Sequence, residues 1–243
     1  MFAPWLAHYP AGIAAEVDVG EYASLKDLLA ASFDRFAALP AYHSMGSEIT
    51  YRELDEASRA FGAWLQSHAR LSRGDRVALM LPNLLQYPIA LFGVLRSGFV
   101  AVNTNPLYTP RELEHQLKDS GAKAIVVLEN FAHTLEQVIG ATAVQAVITT
   151  QIGDRLPPAK RLLVNAVVKY GKKMVPAWNL PGALAFNDVV EVGRGLALEN
   201  VPLTRDDLAF LQYTGGTTGV AKGAMLTHGN MVANVLQVAA WVA

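Results

Sequence analysis

Apolar positions along this chain follow two patterns, a helical spacing and short uninterrupted runs. After Thr50, apolar residues recur at helical intervals, and Thr50 and Glu53 have the spacing of a capping box. The pattern predicts a helix from residue 51 to residue 69. The apolar run 77–81 predicts a buried strand, and the uncharged stretch 84–95 predicts a helix that is apolar on all sides. Because prolines and amides interrupt residues 77–95, a strand followed by a buried helix is favoured over a membrane span.

The same alternation of strands and helices continues over about 100 residues. Thr109 and Glu112 form a second capping-box pattern, Pro110 occupies the first helical position, and Gly121 stands where a C-terminal cap belongs. Further segments are predicted as strands at 99–102, 123–128 and 145–149 and as a helix at 131–139. Such alternation predicts an α/β fold, a mostly parallel sheet with flanking helices.

Composition removes several classes of function. The 243 residues are long enough for one large domain or two small ones. With 20 basic and 21 acidic residues, the chain has no polybasic arm, and we expect no nucleic-acid partner. The absence of cysteine excludes disulfides, zinc-thiolate sites and a cysteine nucleophile. The N-terminal residues lack the features of a signal peptide, so a cytoplasmic location is expected.

One segment is strongly basic. Residues 155–187 contain six basic residues and no acidic one, interleaved with apolar side chains. The favoured interpretation is an amphipathic helix whose basic face is solvated. The alternative is peripheral contact of residues 155–178 with an anionic membrane, on its inner face.

The pattern most specific for chemistry follows the apolar strand predicted at 208–213. Glycines there allow backbone N–H groups to converge on an anion, threonine hydroxyls can donate hydrogen bonds, and Lys222 supplies a mobile positive charge. These residues are Thr214, Gly215, Gly216, Thr217, Thr218, Gly219, Lys222 and Gly223. The spacing predicts a phosphate-binding loop, the alternative being a glycine-rich hairpin with its lysine in solvent.

Other familiar sites are not supported. The loop is not a Walker A sequence, no complete dinucleotide-binding glycine motif is present, and no Gly-x-Ser-x-Gly elbow occurs. The six histidines are too widely spaced for a local metal pair, so no metal site is predicted within this chain. His228 is interpreted as the start of the last helix rather than a substrate contact. Asn103, Asn105 and Tyr108 follow a strand, where either ligand binding or turn formation explains them.

The stretch Tyr213-Thr-Gly-Gly-Thr-Thr-Gly-Val-Ala-Lys-Gly resembles the phosphate-binding signature of the adenylate-forming, or AMP-binding, superfamily. Gly215 and Ala221 stand where that family commonly has Ser and Pro, so one hydroxyl donor is lost and the turn is less rigid. The stretches 81–88, 103–108 and 162–168 look like bacterial long-chain fatty acid:CoA ligases.

The resemblance implies a two-step reaction that uses ATP, Mg²⁺ and CoA as co-substrate. A fatty carboxylate attacks the α-phosphate of ATP, and the CoA thiol then displaces AMP. The residues implied in phosphate binding are Tyr213, Thr214, Gly215, Gly216, Thr217, Thr218, Gly219, Val220, Ala221, Lys222, Gly223 and Ala224. Lys222 and Thr214 are the implied catalytic residues.

The resemblance also implies that residues 1–243 are the N-terminal portion of the AMP-binding domain, with the phosphate loop at 213–224. The family's magnesium-binding carboxylate, its adenine and ribose contacts and its C-terminal domain would lie beyond Ala243, and the chain alone is expected to be inactive. Two alternatives stay open: a non-catalytic nucleotide- or anion-binding module, and a fatty acyl-AMP ligase of the same superfamily. A homodimer is compatible with the sequence, which does not fix the oligomeric state.

Overall fold

A mostly parallel sheet flanked by helices forms the centre of the fold. The computed structural model describes residues 4–214 and 221–242. Its α-helices are α1 (Leu25–Arg35), α2 (Tyr51–His68), α3 (Gln86–Arg96), α4 (Pro110–Ser120), α5 (Ala132–Glu136), α6 (Pro158–Ala166), α7 (Phe186–Arg194) and α8 (His228–Val242). Its strands are β1 (Pro40–Ser44), β2 (Ser47–Thr50), β3 (Arg76–Met80), β4 (Val100–Asn103), β5 (Ala124–Leu128), β6 (Ala146–Thr150), β7 (Leu184–Ala185), β8 (Leu208–Thr214) and β9 (Lys222–Thr227).

The main sheet has seven strands in the order β7-β6-β5-β3-β4-β8-β9. All neighbouring pairs are parallel except β8 and β9, which are antiparallel. β1 and β2 form a separate antiparallel hairpin. The carboxyl ends of the parallel strands therefore meet at one edge of the sheet, where ligands bind in open α/β folds.

Both faces of the sheet are covered, as a parallel sheet requires. Val77 and Leu79 of β3 face a core that includes buried residues of α1, α2, α3 and α7. The alternate residues Ala78 and Met80 face a second core that includes buried residues of α4 and α5. This two-sided burial confirms the prediction that the apolar runs are internal strands.

The helix ends predicted from residues within a single turn of chain are confirmed. Thr50 with Glu53 and Thr109 with Glu112 both form complete capping boxes at the starts of α2 and α4. Gly121 adopts a left-handed conformation (φ 60°) at the end of α4. The helix predicted at 131–139 is shorter, since α5 covers only five residues and 3₁₀ turns flank it.

The helix α6 differs from the solvated basic face that the sequence favoured. Among residues 158–171, all of which the structure describes, none is buried. Leu162 and Leu163 are 68% and 65% exposed, and the outward side of the helix is apolar. Within residues 4–214 and 221–242, no helix is both long and apolar enough to cross a bilayer.

Candidate functional site

A polar cleft lies at the carboxyl edge of the sheet, where β3, β4 and β8 end side by side. Its volume is about 290 Å³. Its walls combine residues that follow these strands with residues of α3 and β8, and they include Asn83, Tyr87, Asn103, Asn105, Tyr108, Gln212 and Tyr213. The cleft therefore adjoins the start of the predicted phosphate loop.

A chain of hydrogen bonds crosses this cleft through Asn103. The Tyr87 hydroxyl donates to Asn103 Oδ1 at 2.9 Å, and Asn103 Nδ2 donates to Gln212 Oε1 at 2.9 Å. Burial raises the pKa of Tyr87, so its hydroxyl keeps its proton at neutral pH. These bonds tie the end of β4 to α3 on one side and to β8 on the other. Asn103 thus has a structural role in a wall that a ligand can reach, and Asn105 also forms a turn by accepting from the Leu107 N–H at 3.0 Å.

The two residues expected to be catalytic lie opposite each other. Thr214 ends β8, Lys222 begins β9, and the two are partners in the antiparallel register. Both side chains are exposed. The intervening positions Gly215, Gly216, Thr217, Thr218, Gly219 and Val220, all expected to bind phosphate, lie outside the described residues.

Tyr213 is an anchor at the start of the loop. Its side chain is buried, and its hydroxyl donates to Asp119 Oδ2 of α4 at 2.5 Å. Burial and the Asp119 carboxylate together raise the pKa of Tyr213, so the hydroxyl remains a donor at neutral pH. Because the ring lies directly over Gly223, a Cβ at Gly223 would stand 2.9 Å from Tyr213 Cε2. Gly223 thus makes room for Tyr213, a role that the phosphate-loop prediction did not include.

A second contact with α4 stands at the other end of the loop. His115 Nε2 lies 3.1 Å from the backbone oxygen of Ala221. A carbonyl oxygen only accepts, so Nε2 carries the proton and donates. Ala224, the last residue of the predicted loop, is exposed and pairs with Gln212 in the β8–β9 register.

Four residues that shape this region were not predicted from the sequence: Tyr87, Gln212, Asp119 and His115. Tyr87 and Gln212 lie within segments that were predicted as a helix and a strand, with no local signal of a shared cleft. His115 and Asp119 are four residues apart on the helix predicted from Thr109, and that i, i+4 spacing placed them on one face. The spacing carried no information about which other segment that face contacts.

His228 and a larger cavity contribute little to the site near Lys222. His228 is fully buried, its Nδ1 accepts from the Leu25 N–H at 3.2 Å, and it begins α8 as predicted. The larger cavity, about 620 Å³, lies beyond the ends of β5 and β6 beneath α6 and is lined in part by Glu129 and Gln151. We place the candidate site at the smaller cleft because Tyr213 lines it. In the described part of the chain, no group of three His, Asp or Glu side chains could hold a metal ion.

Known proteins resemble this chain over most of its length. The family model described as "AMP-binding enzyme" matches residues 29–243. The chain is 58% identical over 234 residues to a long-chain-fatty-acid–CoA ligase of Escherichia coli O157:H7, covering 96% of this chain and 42% of the relative. It is 35% identical over 240 residues to a long-chain-fatty-acid–CoA ligase of Bacillus subtilis, covering 98% and 42%. The chain thus spans less than half the length of these curated relatives.

Solved structures give the same architecture. A long-chain-fatty-acid-CoA ligase from Archaeoglobus fulgidus matches with a TM-score of 0.67 and 27% identity, covering 90% of this chain and 39% of that one. An anthranilate CoA ligase in complex with anthranoyl-AMP matches with a TM-score of 0.70, covering 88% and 37%. At 22% identity, the second match supports the fold alone.

Proposed function

Because this chain belongs to the family of AMP-binding enzymes, we propose that it is the N-terminal part of a long-chain fatty acid:CoA ligase. The observation that carries the proposal is the placement of Thr214 opposite Lys222 at the carboxyl edge of the sheet. The 58% identity to a long-chain-fatty-acid–CoA ligase supports the choice of substrate class. The complete protein would convert a long-chain fatty acid, ATP and CoA into acyl-CoA, AMP and diphosphate, in the cytoplasm.

In the first proposed step, a carboxylate oxygen of the fatty acid bonds to the α-phosphorus of ATP and the bond to the diphosphate leaving group breaks. Negative charge then increases on the departing phosphate oxygens. Lys222 is exposed at the start of β9 and can place its ammonium group near those oxygens, and the Thr214 hydroxyl can donate to them. In the second step the CoA thiol bonds to the acyl carbon, its proton is released, and AMP leaves.

Magnesium would enter the proposed site together with ATP. Magnesium would bind oxygens of the ATP phosphates, as it commonly does in such sites. The role proposed for this chain is to bind and orient the phosphates. Tyr213 to Ala224 is the proposed phosphate-binding segment.

Fatty-acid-dependent exchange between ATP and labelled diphosphate tests the first step. We expect exchange by the full-length protein that contains this chain and none by residues 1–243 alone. Lys222→Ala is expected to reduce the exchange rate of the full-length protein about a hundredfold, the cost of removing one preorganised electrostatic group. Lys118→Ala, which removes a different exposed lysine, is the matched control. Unchanged exchange in Lys222→Ala would refute the role of Lys222, and exchange by the isolated chain would show that the rest of the protein is dispensable.

We further propose that residues 155–178 bind the inner surface of an anionic membrane. The outward apolar side chains of this segment are Leu162, Leu163, Val167, Tyr170 and Met174, all exposed. Polar contacts hold the opposite side of the segment against the rest of the chain. Asn165 Oδ1 accepts from the Gly153 N–H at 2.8 Å, and Lys169 Nζ lies 3.7 Å from the Glu129 carboxylate. An amphipathic helix that turns its apolar side to solvent matches the boundary of a bilayer.

The positive charge of this segment also favours an anionic membrane as its partner. The segment from 155 to 187 carries six basic residues and no acidic one, and Lys172 and Lys173 are exposed beside the apolar side chains. Anionic lipid attracts each such residue by about 1 kcal/mol at the surface. A long-chain fatty acid partitions into bilayers, so contact with the membrane would bring the proposed enzyme to its substrate.

Co-sedimentation with vesicles of phosphatidylglycerol and phosphatidylcholine tests this contact. We expect salt-sensitive binding that Lys172→Glu with Lys173→Glu weakens at least about tenfold. Leu162→Asn with Leu163→Asn should weaken it too, whereas Leu39→Asn, an exposed leucine elsewhere, should not. Absent or salt-independent binding would refute the proposal. Binding by residues 1–243 but not by the full-length protein would mean that the rest of the protein covers this face. Whether the protein forms a homodimer is a separate question, which analytical ultracentrifugation without vesicles tests.

A further inference from the structure

One helix, α4, contacts the proposed phosphate-binding segment at two residues, Tyr213 and Ala221. His115 and Asp119 lie one turn apart on α4 and project from the same face. Asp119 accepts from Tyr213, the residue before Thr214. His115 donates to the carbonyl of Ala221, the residue before Lys222. Thr214 and Lys222, the two residues expected to be catalytic, therefore each follow a residue that hydrogen-bonds to α4.

Lys222 is constrained from both neighbours. On its N-terminal side, the Ala221 carbonyl is fixed by His115 at 3.1 Å. On its C-terminal side, Gly223 lies against the ring of Tyr213, where a Cβ would be only 2.9 Å from Cε2 and 3.0 Å from Cζ. Because the Tyr213 hydroxyl is hydrogen-bonded to Asp119, the constraints on Ala221 and on Gly223 both originate from α4.

The helix α4 is well suited to hold these contacts in place. Its first turn is closed by a capping box and its end by a left-handed glycine. Leu113 and Leu117 are fully buried against the sheet. On the same helix, Gln116 Nε2 donates to the backbone oxygen of Asn103 at 2.9 Å, which fixes α4 relative to the end of β4. The contacts to Tyr213 and Ala221 thus originate from a firmly packed element.

We propose that His115 and Asp119 are positioning residues that fix the placement of Thr214 and Lys222 for the phosphates of ATP. This inference rests on the proposed function for its ligand, and on the described contacts alone for its geometry. Neither residue is proposed to touch ATP. Each acts through a backbone or side-chain group next to a residue that does.

Hydrogen exchange of residues 1–243, followed by mass spectrometry, tests the geometry without any ligand. We expect His115→Ala to speed exchange of the amides at 221–224. We expect Tyr213→Phe, which keeps the ring and removes the hydroxyl, to speed exchange at the end of β8. Glu114→Ala is the matched control, because it removes an exposed ion pair with Lys118 from the same helix. Equal exchange in His115→Ala and Glu114→Ala would overturn the proposed constraint.

The functional arm measures the KM for ATP of the full-length protein. Loss of one such hydrogen bond is expected to raise this KM about three- to tenfold in His115→Ala and in Asp119→Ala, with little change in the KM for fatty acid. His115→Gln and Asp119→Asn keep a donor and an acceptor, respectively, and should recover much of the affinity. A purely structural defect would instead raise the KM for both ATP and fatty acid, and His115→Gln and Asp119→Asn would not restore either value.

Lys222→Ala separates the two proposals. If it leaves ATP use unchanged, the proposed function of the loop fails, whatever the α4 variants do. If Lys222→Ala impairs ATP use while His115→Ala and Asp119→Ala keep the unaltered KM, the loop binds ATP but the positioning role of α4 is refuted.

Discussion

Gly193→Ala tests how closely α7 packs against α2. A Cβ at Gly193 would stand 2.0 Å from the backbone oxygen of Ala60 and 2.7 Å from its carbonyl carbon. Ordinary contact begins at 3.4 Å, so the two backbones would have to separate by about 1.4 Å locally. Backbone atoms cannot rotate out of the way as the end of a side chain can. The substitution therefore has to move a whole helix.

The cost follows from what that movement disrupts. Phe186 of α7 is fully buried and stacks on Phe61 of α2 with ring centroids 5.2 Å apart. A gap of 0.5–1 Å already removes about a quarter to a half of the dispersion energy of such contacts. Overpacking a core costs about 1–3 kcal/mol, and we expect Gly193→Ala to lie near the upper value. For a chain of this length, about 3 kcal/mol lowers Tm by about 6–12 °C.

Scanning calorimetry of residues 1–243 measures this effect. Gly195→Ala is the matched control, because it lies at the end of the same helix and its Cβ would meet its nearest atom at 3.6 Å, an ordinary contact. We expect the Tm of Gly195→Ala to stay within about 2 °C of the unaltered chain. Equal Tm values for Gly193→Ala and Gly195→Ala would refute the close approach of α2 and α7.

Three further predictions concern the stability of the fold. Burial lowers the pKa of His228 below its ordinary value of about 6.5, so below that pH the unfolded chain binds a proton that the folded chain does not. The free energy of unfolding should therefore rise with pH between the lowered pKa of the folded chain and about 6.5. Unfolding titrations should show that the difference in this free energy between pH 5.5 and pH 8 is smaller in His228→Gln than in the unaltered chain. Gly223→Ala should cost about 1–2 kcal/mol by displacing the Tyr213 ring, and less when Tyr213→Ala has already removed that ring; an additive double mutant would contradict the contact. Thr109→Ala should cost about 1 kcal/mol by opening a capping box, Thr109→Ser should restore it, and an unchanged Tm would disprove the cap's contribution.

The features that the sequence predicted well are those whose cause lies within a few residues. The capping box at Thr109 and Glu112 and the left-handed Gly121 need only their own turn of chain, and the structure places all three as predicted. The run 77–81 is apolar because a parallel strand is buried on both faces, so its pattern alone was sufficient. The alternation of such runs with helices then led to the mostly parallel sheet.

What could not be predicted depends on contacts between distant segments. Gln212 reaches Asn103 across 109 positions, and Tyr213 reaches Asp119 across 94. The local sequence around His115 gives the face it occupies on α4 but not the segment that face meets. The outward apolar side of α6 was missed for a related reason: amphipathic spacing reveals two faces, and only packing decides which one is exposed.

The position of β8 in the sheet has a consequence for the order of assembly during synthesis. Strands β3, β4, β5 and β6 all lie before residue 151, and they pair with one another without β8. On the ribosome this part of the sheet can form while residues 208–214 are still untranslated, leaving one side of β4 open. When β8 emerges, it adds to that open side and closes a contact of high sequence separation, which is a slow kind of event. The sheet edge that carries the proposed phosphate-binding segment is therefore completed late, onto a framework that is already formed.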